Sequence, residues 1–211
     1  EIAVLDRYLK SGGSLLILAD ALFNQDAFLQ QDGAFNRYLW DNYGLRALNA
    51  VVVEADPAVV AQTPLDIMSA AVFTENDIGA RLNTDETPTL FSVARALEVN
   101  GSPPSGVANG RVILTSETSY GETNFRALAE TNTFQFDEGQ DIRGPLATVV
   151  WANNDQTNAR IVIIGDSDFV TNGSVGIGGN GILFTDTITW LSHYAEAINF
   201  RPQAFTTGLP L

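Results

Sequence analysis

Apolar positions recur along the chain with two periods. Ile2, Leu5 and Leu9 step at helical spacing with Tyr8 beside them, and Gly12 and Gly13 supply the stop. Residues 14–19 (SLLILA) form a continuous apolar run of strand length, the pattern of a strand buried on both faces, and Asp20 ends it. Residues 33–43 predict a helix with Phe35, Tyr38 and Leu39 on one side, closed by Gly44. Residues 45–54 are strand-like. Residues 55–87 are mixed, with a short helix around 76–82, and 89–99 alternate as one strand. The stretch 100–110 (NGSPPSGVANG) is a loop by composition. A short buried strand at 111–114 precedes a polar patch at 115–118, a helix is expected over 125–130, and a strand over 144–151. Residues 153–158 read as a hairpin turn into 159–164, the clearest strand of the chain, which runs into Gly165-Asp-Ser-Asp-Phe169. The last helix, 181–198, carries Phe184, Ile188, Leu191, Ala195 and Ile198 in steps of four and three as a core-facing stripe.

Helices alternating with buried strands predict an α/β layered fold with a mainly parallel sheet and the C-terminal helix packed on it. Residues 1–198 are expected to form a single domain and 199–211 an extended exit segment. A chain that opens inside a helix feeding a buried strand reads as a piece of a longer protein, without the strand that precedes that helix.

Composition narrows the chemistry. Hydrophobic residues make up 45 %, enough for a full core and against disorder. Acids outnumber bases 25 to 11, for a net charge of −14, which repels phosphate backbones and argues against nucleic acid as a partner. Lys10 is the one lysine and His193 the one histidine, and there is no cysteine. Thiolate metal sites, poly-histidine sites and cysteine nucleophiles are thereby excluded. No run of about 18 apolar residues is present, so no membrane-spanning helix is expected within residues 1–211.

In open parallel sheets ligands bind outside the carboxyl ends of the strands. Three predicted strands end in polar residues: Asp20, then Ser116 and Glu117, then Asp166, Ser167 and Asp168, with Asn172 shortly after. Two readings stay open. Gathered on one edge, these side chains would hold a divalent cation or hydrogen-bond a polyol. Alternatively, each carboxylate or hydroxyl caps the backbone of the segment that follows it. The Gly165-Asp166-Ser167 block also resembles that of the GDS-type lipases and esterases, with Ser167 as nucleophile and His193 as the sole available base. Those enzymes carry an aspartate three residues before the histidine, where this chain has Trp190, and their block opens the domain, whereas here it lies near the end. The glycine-rich run 172–181 lacks the G-x-x-x-x-G-K-[ST] pattern of a phosphate loop and reads as a flexible crossover, with Asn180 capping the last helix. Trp40, Trp151 and Trp190 fall within apolar elements and read as core.

Taken in order, Tyr8-Leu-Lys-Ser-Gly-Gly-Ser-Leu-Leu-Ile-Leu-Ala-Asp20, Leu114-Thr-Ser-Glu117, Gly144-Pro-Leu-Ala147, Arg160-Ile-Val-Ile-Ile-Gly-Asp-Ser-Asp-Phe169, Asn172, Gly179-Asn180 and Thr189-Trp190-Leu191 resemble the extracytoplasmic domain of GldG-like auxiliary proteins of ABC-type transport systems, related to gliding-motility components. The resemblance is weakest over 55–110. It implies a flavodoxin-like or class I glutamine amidotransferase-like fold, no catalysis, no cofactor and no metal. The amidotransferase relatives use a cysteine that this chain lacks. It further implies flanking membrane helices, a position on the extracytoplasmic face of the cytoplasmic membrane, and a permease or other membrane subunit as partner, with 199–211 leading to an anchor.

Overall fold

A computed structural model describes residues 1–21, 29–124 and 134–193. The helix expected over 125–130, the last residues of the helix expected over 181–198, and the exit segment 199–211 lie outside the described residues.

Three α-helices, one short 3-10 helix (Asp168–Val170) and eleven strands are described: α1 (Ile2–Lys10), β1 (Ser14–Leu18), α2 (Ala34–Tyr43), β2 (Leu45–Glu54), β3 (Asp66–Met68), β4 (Ala71–Val72), β5 (Leu90–Ser92), β6 (Arg95–Val99), β7 (Val107–Leu114), β8 (Ser119–Glu122), β9 (Ile142–Arg143), β10 (Ala147–Asn154), β11 (Ala159–Ile164) and α3 (Asn180–Leu191). Nine strands form one sheet in the order β1-β11-β10-β6-β2-β8-β9, with β7 also on β10 and β4 on β7, while β3 and β5 pair separately. The sheet forks at Ala147, which pairs with Leu97 of β6 and Leu114 of β7.

Only β1 and β11 pair in parallel; the other described pairings are antiparallel. This overturns the expected mainly parallel, flavodoxin-like or glutamine amidotransferase-like layer. The cause is visible in β11. Ile161 and Ile163 face a core with Leu9 of α1 and Leu39 and Tyr43 of α2, whereas Val162 and Ile164 face a second core with Leu183, Trp190 and Leu191 of α3. Both faces of the sheet are covered at β11, so Ile161–Ile164 form an unbroken apolar run. Continuous apolar runs report two-sided burial; strand direction leaves no mark on them. Full burial of a side chain such as Ile163 is worth about 2 kcal/mol.

Local signals placed several elements closely. Gly44 adopts φ +66° and donates its N–H to Trp40 O, which ends α2 at Tyr43. The 153–158 turn forms around Asn154, whose side-chain oxygen accepts the N–H groups of Gln156 and Thr157. Elsewhere the structure departs from the pattern. The strand expected over 89–99 is broken into β5 and β6 at Val93, whose φ is +54°. The expected loop 100–110 is shorter, because β7 starts at Val107, and the strand expected from 144 begins at Ala147. Turns replace the short helix around 76–82. On α3 the buried face is Leu183, Thr187, Trp190 and Leu191; Phe184 is half-buried and Ile188 is 43 % exposed. Apolar residues fall on more than one side of this helix, so the stripe alone did not fix its rotation. Asp186 of the same helix is buried and ion-paired with Arg81. Trp151 and Trp190 meet edge to face at 5.9 Å, and Trp40 stacks under the Arg46 guanidinium at 4.3 Å.

Candidate functional site

Because β1 and β11 run in parallel, Asp20 and the corner 165–168 leave the sheet at the same end. The Asp20 carboxylate accepts the Ser167 backbone N–H at 2.5 Å and the Ser167 hydroxyl at 2.8 Å. Asp166 is 2 % exposed. One of its oxygens accepts the Asp168 N–H at 2.7 Å, and the other accepts the Ser92 N–H at 2.9 Å. Asp166 therefore ties the end of β11 to the end of β5. Asp168 itself is exposed, as is Asn172.

The structure thus brings Asp20, Asp166, Ser167 and Asp168 together, but through the backbone contacts that capping requires. Ser116 and Glu117 do not join them. Strand β7 has the same direction as β11, but β10 lies between, two strand spacings or roughly 10 Å. Ser116 donates to Glu54 at 2.5 Å, and Thr118 donates to the other Glu54 oxygen at 2.7 Å. Glu117 is exposed and lines a separate cleft of ≈ 360 Å³ with Asp56, Tyr120, Phe136 and Arg143. Among the described residues no group of three or more His, Cys, Asp or Glu side chains is placed to hold a metal ion. Ser167 and His193 are also apart. The His193 Nε2 lies 3.5 Å from the Ser14 hydroxyl, at the start of β1, where Ser14 pairs with Arg160. Ser167 lies seven residues further along from Arg160, past the opposite end of β11, about 20 Å away at strand rise. A base must approach its nucleophile to about 3 Å.

Two residues with structural weight here, Glu54 and Ser92, carry no signal that the sequence reading used, and a third, Asn180, takes a different role. Glu54 is a buried carboxylate held by two hydroxyls and the Asp56 N–H. Ser92 supplies the second N–H to Asp166. Asn180, expected as a helix cap, makes no cap bond; its buried amide instead bonds Leu90 N and O, Phe169 O and Ser174 O. The polar residue at the inner end of an apolar strand was the one available signal for Glu54.

Burial is the main force on Asp166 and raises its carboxyl to about 6; the two N–H donors pull the other way, and Asp168 and Asp20 add repulsion. A carboxyl that holds its proton more tightly when folded stabilises the fold most below its unfolded value of about 3.8, and that contribution is lost as pH rises through about 6. Wild type minus Asp166→Asn is therefore expected to lose stability between pH 4 and 6, by on the order of 3 kcal/mol in all. Urea denaturation of both proteins across that window measures it; parallel curves would remove Asp166 as the source.

No family model and no curated protein sequence matches the chain. Among solved structures it is similar to the mmIFT52 N-terminal domain, with a TM-score of 0.61 and 16 % identity over 90 % of this chain and 69 % of that chain. That likeness stands in place of the flavodoxin-like expectation, and at this identity it establishes one thing, that the chain has the fold of the IFT52 N-terminal domain.

Proposed function

We propose that this chain is a non-catalytic interaction domain of an ABC-type transport auxiliary protein, held at the extracytoplasmic face of the membrane beside a permease. The ordered motifs from Tyr8 to Leu191 support the family reading. The observation that carries the non-catalytic part is the engagement of Asp20, Asp166 and Ser167 with the fold's own backbone and with one another. Polar groups at a strand end that are already satisfied position a loop; a catalytic or ligand site keeps them available.

Two measurements test this. The full-length protein, tagged and extracted from its native membranes in mild detergent, is expected to co-purify with a transporter permease in stoichiometric amount. Recovery from the soluble fraction with no membrane subunit would overturn the assignment. Purified chain incubated with p-nitrophenyl acetate is expected to give no turnover above buffer. Hydrolysis that disappears in both Ser167→Ala and His193→Ala would put the GDS-type hydrolase in its place.

A further inference from the structure

The glycine-rich segment after β11, expected to be a flexible crossover, is knit together by its own backbone. Ser174 and Val175 donate to Thr171 O, Ile177 donates to Ser174 O, and Asn180 donates to Ile177 O, at 2.9 to 3.1 Å. Gly179 N–H bonds Pro88 O at 2.9 Å, and the Asn180 side chain reaches Ser174 O. Gly178 sits at φ +49°, so close to the neighbouring loop that a Cβ there would lie 2.1 Å from Pro88 O. On this fixed knuckle Val175 and Ile177 stand out at 36 % and 44 % exposure.

Two features say what would cover it. No charged residue occurs from Phe169 to Thr185, in a chain of net charge −14. Around this neutral window stand exposed acids: Asp168, seven residues before Val175, and Asp85 and Glu86, adjoining the Thr87–Pro88 backbone on which Gly178 and Gly179 rest. An ordered apolar projection loses little conformational freedom on binding, and an acidic rim selects a basic one. We propose that the knuckle 173–179 is a protein-docking surface whose partner offers an apolar socket rimmed by lysine or arginine. It rests on the reading of the chain as an interaction domain and names the contact through which that domain would work. A lipid surface is the weaker match, because two aliphatic side chains ringed by acids are repelled by anionic headgroups.

The full-length protein carrying benzoylphenylalanine at position 177, or at the exposed control position 59, is irradiated in its native membranes and the adduct identified by mass spectrometry. A single major adduct at 177 and none at 59 is expected. That protein, purified, is then titrated with wild type, Val175→Ser/Ile177→Ser and Asp85→Asn/Glu86→Gln. The apolar pair is expected to weaken binding at least tenfold with the thermal midpoint unchanged, and the acidic pair to flatten its salt dependence. No adduct at 177, equal adducts at both positions, or undiminished affinity of the serine variant would overturn the proposal. So would binding to phosphatidylcholine or phosphatidylglycerol vesicles that the serine variant loses. If the adduct is not a transport-system subunit, the family assignment fails while the docking surface stands. If a permease co-purifies but the serine variant binds it normally, the docking surface fails alone.

Discussion

Gly165→Ala is expected to destabilise the chain by at least about 4 kcal/mol, or to prevent its folding. Gly165 donates its N–H to Thr148 O and accepts the Arg95 N–H, so it joins β10 and β6 just past the end of β11. A Cβ at this position would lie 2.1 Å from Arg95 O. The obstacle is backbone, so no side-chain rotation relieves it, and two strands must separate. Overpacking a core by a methyl group usually costs about 1–3 kcal/mol, with neighbouring side chains giving way. Here the neighbour is a strand whose Arg95 side chain is itself fully buried and bonded to Leu48 O and Leu29 O. Against a total stability of about 5–15 kcal/mol for a domain of this kind, the loss is a large fraction. Yield of soluble protein and guanidinium denaturation read it directly; a cost below about 1 kcal/mol would mean that the strands part more easily than this packing implies.

Asn180→Ala is the second large effect, at about 3–5 kcal/mol. Asn180 is fully buried, and its amide answers Leu90 N, Leu90 O, Phe169 O and Ser174 O. Truncation leaves a buried N–H and several carbonyls unmatched, each costing about 1–3 kcal/mol if water does not reach it. Asn180→Asp is the informative companion: it keeps the acceptor for Leu90 N but turns the donors into a carboxylate facing carbonyls, so it is expected to be at least as damaging. Thermal unfolding of the pair separates loss of shape from loss of bonding. A stable Asn180→Asp variant would show that the three carbonyl contacts contribute little.

What could be read from the residues divides along a physical line. Interactions close in sequence leave local marks: the Gly12 and Gly44 stops, the Asn154 turn, and the apolar runs of β1, β2 and β11. Strand direction leaves none, since a two-sided core makes antiparallel strands as apolar as parallel ones. The meeting of Asp20 with Ser167 was legible because β1 and β11 are parallel neighbours, where strand-end reasoning holds. The same reasoning misplaced Ser116, because nothing in residues 111–118 announces that β10 will intervene. Val93 carries no turn chemistry, yet it breaks a strand at φ +54°, a conformation that a β-branched residue takes only when its surroundings impose it. Asn180 and Leu90 are 90 residues apart, and an asparagine beside glycines looks like any loop residue until that partner is known.

The parallel pairing of β1 with β11 also sets an order of events during synthesis. Ser14 finds its sheet partner, Arg160, only 146 residues later in the chain. At a ribosomal rate of roughly 5–20 residues per second, that is about 7–30 seconds during which Ser14–Leu18 has emerged and β11 has not. The β2–β6–β8 part of the sheet is complete at Glu122, before β11 exists, so the middle of the chain can pair while β1 still waits for β11. Five apolar-rich residues held open for that long are an aggregation hazard and a natural segment for a holding chaperone to cover.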